Sequence, residues 1–359
     1  MGNVYSSSKI FHFPGRLKRI AEGEIPAPIH VRLKPTNRCN HSCDYCCFRN
    51  PRLPLGETMQ ESDEIPQVKM REIVADLVEM PVRAVTFSGG GEPLCYPYIV
   101  ETVNALTDGG IKVAMLTNGA RLKGEAAELL AQRATWVRVS IDAVDREAYA
   151  RVRSVGRGEF DLVCSNMRAF AATPGRTCVL GVNLIVTREN SAHVLRFLEL
   201  ARELGVDHVK VSEVVTSTEA EENHRYVATF YDEVKAQIRE AQDRLADGRF
   251  TIIDKVLLPD ATQESFVRNY TWCPMTRCLT VIAADQNVYT CQDKAYTKGG
   301  LLGSIRERRF AQLWVSAELR ERLQLLNPGL ECRHHCVSHG KNLALIDFFE
   351  ADRDHMDFV

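Results

Sequence analysis

No apolar run in this 359-residue chain approaches the ~20 residues that cross a bilayer, and the first twenty positions lack the apolar stretch of a secretion signal. A cytoplasmic protein with no membrane partner is therefore expected. Charge of one sign is also missing. The 45 Lys and Arg against 47 Asp and Glu leave a net charge of -2, which gives no electrostatic reason to expect nucleic acid as a partner. A short basic cluster at 306–309 reads as a solvated helix face. Internal repeats at solenoid spacing and low-complexity tracts are absent, which excludes array architectures. What remains is a chain of 45% hydrophobic residues, enough to bury a sizeable core in one large domain plus a smaller one.

Cysteine is abundant. Twelve thiols in a reducing compartment argue for metal ligation over disulfides. Three of them, Cys39, Cys43 and Cys46, fall in one short loop with C-x3-C-x2-C spacing, which chance produces in only about one such chain in a hundred. Zinc in a structural site wants a fourth ligand, and His41 sits between the thiols rather than after them. An all-protein iron-sulfur site likewise uses four cysteines. Three thiols without a fourth leave a position on the metal for a substrate or cofactor.

Strand-like runs alternate with helical patterns, the signal of βα units and a parallel sheet. Strands are expected at 30–36, 84–88, 112–117, 136–141, 178–187 and 208–215. Helices are expected at 66–80, 98–107, 124–132, 161–172 and 191–204, the last opened by a cap signal at Asn190 and Ser191. Six such units predict a partial (β/α)6 barrel, with 1–28 as an N-terminal extension, 29–245 as the barrel and 246–270 as a linker. Active sites of parallel barrels lie at the C-terminal strand ends. There the sequence places the glycine run ending in Gly90, Gly91 and Glu92, and also Ser140 and Asp142. Asn118 and Gly119 read as a turn more readily than as part of the wall. Alternation puts Arg32 and Lys34, Thr86 and Ser88, Arg138 and Ser140, Gly181 and Asn183, and Lys210 and Ser212 on one strand face. A helix-covered sheet is apolar outside, so these polar faces are expected to point inward, making Lys34, Asn183 and Ser212 candidate substrate or cofactor contacts.

The cysteine loop, with Tyr45 before its third thiol, resembles the signature of the radical S-adenosylmethionine (SAM) superfamily. The resemblance implies a 4Fe-4S cluster on Cys39, Cys43 and Cys46 whose open iron takes SAM. It also implies reductive cleavage of SAM to a 5'-deoxyadenosyl radical that abstracts hydrogen from a substrate. Gly90, Gly91 and Glu92 resemble the family's GGE motif and would meet the amino group of SAM. Ser140 and Asp142 resemble its Ser-x-Asp element at the ribose or carboxylate. Arg151 and Arg153 are candidates for the SAM carboxylate, since a guanidinium matches a carboxylate fork, with a solvated helix face as the alternative.

Five further cysteines cluster late in the chain: Cys273, Cys278, Cys291, Cys332 and Cys336. They mark a second metal-binding module at 271–340, followed by a tail at 341–359. The module resembles the twitch or SPASM extension of radical SAM enzymes, with Gln286 in the place of the usual turn glycine. Five thiols suffice for one auxiliary 4Fe-4S cluster, which the resemblance assigns to Cys273, Cys291, Cys332 and Cys336. Cys278 is left as an alternative ligand, a free thiol or a hydrogen donor, and Cys95 is a second candidate donor. His334 and His335 read as polar loop residues.

The resemblance implies a radical SAM oxidoreductase, served by an electron donor such as flavodoxin or ferredoxin. About thirty residues precede the first strand, too few for a peptide-recognition domain, so a polar small-molecule substrate is expected: a sugar, aminocyclitol or nucleoside-like compound, oxidised by loss of hydrogen. The alternatives are an epimerase or decarboxylase of such a compound, or a ribosomal-peptide maturase. A non-enzymatic iron-sulfur electron carrier would account for the cysteines but not for Gly90 to Glu92.

Overall fold

The computed structural model describes residues 6–50, 52–53, 55–258 and 266–355. The six expected strands form as β1 (His30–Leu33), β2 (Ala84–Phe87), β3 (Lys112–Thr117), β4 (Trp136–Ser140), β5 (Val179–Val186) and β6 (His208–Glu213). Four more follow: β7 (Thr251–Asp254), β8 (Leu279–Ile282), β9 (Asn287–Tyr289) and β10 (Leu301–Ser304). All ten make one sheet in the order β10-β9-β8-β1-β2-β3-β4-β5-β6-β7. Pairing is parallel from β1 through β7, and β8 lies parallel to the other edge of β1. The hairpin β8–β9, flanked by Cys278 and Cys291, thus continues the barrel sheet rather than standing apart from it. The strand β7 falls inside the stretch expected as a linker.

The inward and outward faces separate as alternation requires. Val31, Leu33, Val85, Phe87, Val137, Val139, Val209 and Val211 join one buried cluster with the helices. The helix Gln67–Glu79 supplies Met70, Ile73, Val74 and Leu77 to it, at helical spacing. Each such side chain stabilises the fold by about 1.5–3 kcal/mol relative to exposure. The opposite face carries Arg32 beside Thr86, Ser140 beside Asn183, and Asn183 beside Lys210.

Three local readings change. The helix Arg146–Arg153 forms where no separate one was expected, capped by Asp145 accepting from Ala148 N at 2.8 Å. Asn190 precedes the helical turn but does not cap it; its amide bonds Asp142 O at 3.0 Å and Ile185 O at 2.9 Å. The basic run 306–309 is a bend rather than a helix face, and Arg309 pairs with the fully buried Asp76. At the start of the chain, Ile10, Leu17 and Ile20 pack with Met275, Cys278 and Leu345. The segment expected as an extension and the helix His339–Glu350 are therefore joined through a common apolar cluster.

Candidate active site

The cysteine loop leaves the C-terminal end of β1 and is held by the backbone on two sides. Ser42 N and Asp44 N donate to Arg153 O and Val152 O at 3.1 and 3.3 Å, which ties the loop to the last turn of Arg146–Arg153. Gly91 N and Glu92 N donate to Thr36 O and Arg38 O at 3.2 and 2.9 Å, which zips the glycine run against the residues leading into Cys39. This approach explains the glycines. A Cβ at Gly90 would lie 2.2 Å from Asn37 Oδ1, and one at Gly91 would lie 2.1 Å from Arg38 O. No side chain fits there.

Glu92 is buried, and its carboxylate is consumed by the protein. Thr117 Oγ1 and Leu94 N donate to Oε1 at 2.6 and 3.0 Å, and Asn118 N donates to Oε2 at 2.7 Å. Burial pushes its pKa up against the pull of these bonds. Glu92 joins the glycine run to the end of β3, and Asn118 does the same for the cysteine loop through Nδ2 to Asn40 Oδ1 at 2.9 Å. Asn118 and Gly119 (φ +82°) make a turn that is also part of the wall.

Asp142 is the hub of the opposite wall. Its Oδ2 accepts from Tyr45 OH and pairs with Arg153, while Oδ1 accepts from Ile185 N at 2.7 Å. Arg153 also donates to Ser140 O at 2.8 Å and to Cys43 Sγ at 3.3 Å. Tyr45, Ser140, Asp142 and Arg153 are thus brought together around Cys43, but both charged groups face each other in a buried ion pair. Asp142 and Arg153, both expected to contact SAM, partner each other here, and Arg151 is exposed on the same helix. Asn183 stands on the inward face between Ser140 and Lys210. Lys34 donates to Gly89 O at 2.7 Å and lies 4.3 Å from the Phe48 ring centre.

The late cysteines come from three segments, with Cys332 and Cys336 in one loop. Cys273, Cys291, Cys332 and Cys336 all line one cavity, with Arg268, Lys294 and His334 beside them. Gln286 takes φ +61°, so it supplies the left-handed turn that glycine usually provides, and the hairpin β8–β9 closes over it. Asn342, in the stretch expected as a tail, accepts from Met275 N at 3.0 Å and from Cys273 Sγ at 3.4 Å. His334 is buried beside the thiols rather than exposed, with Arg268 donating to its carbonyl at 2.7 Å. Cys278 does not line the cavity. Its carbonyl accepts from Ile29 N at 2.8 Å, ahead of β1 and at the far end from the cysteine loop, and its side chain packs among Ile10, Leu17 and Ile20. It thus stands apart from the four thiols that line the cavity. Cys95 donates to Asn40 Oδ1 at 3.6 Å behind the cysteine loop.

Sequence reasoning passed over Cys47, next to the third thiol of the loop. It lies near Lys34 and Asp293, between the two cysteine sites, and burial pushes its thiol up to about 12. The doubled Cys46-Cys47 was the available signal. The two sites share a wall, in which Phe48 of the loop meets Tyr296 edge-on with ring centres 5.9 Å apart, and Tyr296 OH donates to Asn37 Oδ1.

The donor sets suit iron-sulfur clusters. Among the described residues no three His, Cys, Asp or Glu converge on a point as ligands of a single ion do. Four thiols instead line one cavity, and three share one loop. Burial raises Cys39 to about 11 and Cys273 to about 12, so thiolates there need a positive partner such as iron.

Comparison with known proteins agrees. GTP 3',8-cyclase of Chlorobaculum tepidum is 30% identical over 176 residues, 48% of this chain and 50% of that protein, so the match spans half its length. AdoMet-dependent heme synthase of Methanosarcina barkeri is 26% identical over 316 residues, 83% of this chain and 85% of that protein. Streptococcus suis SuiB bound to S-adenosylmethionine has the same fold, with TM-score 0.62 at 16% identity over 89% of this chain and 73% of that one. The Radical SAM superfamily model matches residues 33–230, more than half of the chain. The chain therefore belongs to the radical SAM superfamily, as an enzyme that uses SAM and a 4Fe-4S cluster.

Proposed function

We propose that this enzyme oxidises a polar small molecule by radical hydrogen abstraction, with Cys39, Cys43 and Cys46 holding the SAM-binding cluster. Cys273, Cys291, Cys332 and Cys336, which line one cavity, would hold one auxiliary 4Fe-4S cluster, and such a cluster would supply an electron acceptor. Residues 29–245 form the radical barrel, and 271–340 form the auxiliary module. The observation that carries the reading is the sharing of one inward-facing sheet by a three-thiol loop and a four-thiol cavity. A two-electron oxidation needs a second electron acceptor within reach of the substrate, and that arrangement provides one.

Bound on the three-thiol loop, the cluster and SAM supply a one-electron cleavage and a 5'-deoxyadenosyl radical. The chain does the rest. The backbone of Gly90 and Gly91 offers the close approach that the amino group of SAM requires, and Ser140 and Asn183 offer polar contacts on the inward face. Glu92 and the Asp142–Arg153 pair act as positioning residues, holding the walls in place. A flavodoxin or ferredoxin supplies the electron. GTP and heme in the names of two relatives support a small-molecule substrate with polar substituents.

The test is mass spectrometry of candidate sugars, aminocyclitols and nucleosides incubated with the anaerobically reconstituted enzyme, SAM and reductant. A product two mass units lighter, with one SAM consumed for each, is expected. A product of unchanged mass carrying one solvent deuterium, lost in Cys47→Ala, would replace oxidation by epimerisation with Cys47 as donor.

A further inference from the structure

The guanidinium of Arg153 touches one of the three loop thiols. It donates from Nη1 to Cys43 Sγ at 3.3 Å, and from Nη2 to Ser140 O at 2.8 Å and to Asp142 Oδ2. Two aromatic rings flank it, with the centres of Tyr45 and Tyr149 lying 5.5 and 5.8 Å from Cζ. The backbone of the same residue holds the loop, since Ser42 N donates to Arg153 O at 3.1 Å. Cys43 and the cation that faces it are therefore tied to each other twice, once through the side chain and once through the loop's own anchor. The side chains of Arg153 and Asp142 are only 5% and 1% exposed, so water screens little of their field.

A thiolate that ligates iron carries negative charge, and reduction of a cluster adds more. A hydrogen bond to the ligand sulfur stabilises the more negative state, and a charged donor does so about twice as strongly as a neutral one. Hydrogen bonds to sulfur, net charge and solvent exposure are the means by which a protein sets a cluster potential. Arg153 combines all three, because it bonds Cys43, is charged and is buried. Asp142 opposes it. The carboxylate takes the same guanidinium and cancels part of its charge, while Tyr45 OH donates to that carboxylate and weakens the cancellation.

Resting on the reading of Cys43 as a ligand of the SAM-binding cluster, we propose that the Arg153 guanidinium raises the reduction potential of that cluster, with Asp142 setting how much of its charge reaches Cys43. Arg153 is then a positioning residue with an electrostatic task. It brings the cluster within reach of a weaker reductant than the three thiols alone would need.

The experiment is a redox titration of the anaerobically reconstituted full chain without SAM, read by electron paramagnetic resonance on the signal that changes when SAM is added afterwards. In Arg153→Gln the ratio of reduced to oxidised cluster at a fixed potential should fall about ten-fold, the size of one charged hydrogen bond. In Asp142→Asn the same ratio should rise, because the guanidinium keeps its charge and loses its counter-ion. Arg153→Lys should lie between the wild type and Arg153→Gln. A role confined to holding the wall does not move the potential in opposite directions. Iron analysis and circular dichroism report loading and folding. If Arg153→Gln or Asp142→Asn loads no iron, Arg153→Lys carries the test, and an unmoved potential in it overturns the proposal. Equal potentials in all the loaded proteins, or Arg153 and Asp142 variants shifted to the same side, overturn it as well. Iron analysis of Cys43→Ala tests the ligand reading separately: full iron there sinks that reading, whereas lost iron with unmoved potentials in the other variants sinks the present one alone.

Discussion

The two cysteine sites are built in opposite ways. Cys39, Cys43 and Cys46 belong to one continuous loop whose shape is set by neighbours on either side, the glycine run and the last turn of Arg146–Arg153. Cys273, Cys291 and the Cys332–Cys336 pair come from three segments, and only the finished fold places them around one cavity. A local site tolerates damage elsewhere in the chain, whereas a dispersed site reports on every element that builds it. On the proposed reading the first site would offer a cluster three thiols and the second would offer four.

The largest effect should come from the local site. Replacing Cys39, Cys43 and Cys46 together by Ala should reduce 5'-deoxyadenosine formation to background while iron falls from about eight to about four per chain, following four per cubane cluster. Loss of all iron instead would show that the two sites do not load independently. Next, Cys291→Ala should remove the auxiliary iron and the product but leave the SAM-binding cluster, read by iron analysis and electron paramagnetic resonance. Retention of eight irons would move the ligand elsewhere.

Asp142→Asn is the third. It leaves the buried guanidinium of Arg153 without its anion, and breaking such a pair costs about 3–5 kcal/mol. Denaturant unfolding should show that loss, together with weaker SAM binding through the freed Tyr45 and Cys43. Unfolding unchanged within about 0.5 kcal/mol would mean that the pair adds nothing to the wall.

Smaller still, Cys278→Ala should keep all iron and substantial turnover, at a cost of about 1 kcal/mol for a small buried cavity. Loss of iron in that variant would return Cys278 to the ligand set. The smallest change runs the other way: Gln286→Gly relieves a left-handed residue and should stabilise the hairpin by up to about 1 kcal/mol, seen as a slightly higher midpoint. A lower midpoint would mean that the Gln286 side chain contributes more than its backbone costs.

The difference between the sites also decided what could be read from sequence. The three-thiol spacing and the six strands were legible because each is a local pattern, a fixed interval or an alternation. The late cysteines were legible as a set, and position alone separated Cys278 from the ligands, because its exclusion depends on packing against Ile10 and Leu17, far away in the chain. The helix Arg146–Arg153 escaped because it buries one apolar residue, Tyr149, and so lacks an apolar stripe. The strand β7 is four residues long with apolar Ile252 and Ile253 adjacent, which gives no alternation to find. Asp142 looked like a ligand group because nothing in the sequence says that Arg153 folds back onto it.

The pairing of β8 with β1 has a consequence for how the protein is made. Residue 30 hydrogen-bonds in register with residue 279, so one edge of the first strand waits for most of the chain. At a synthesis rate of about 10 residues per second, that wait is about 25 s. Through that interval a nascent β1 presents an open edge, the kind of surface on which strands of other chains nucleate aggregates. A slow translation rate or a truncated message therefore exposes the sheet beside the cysteine loop.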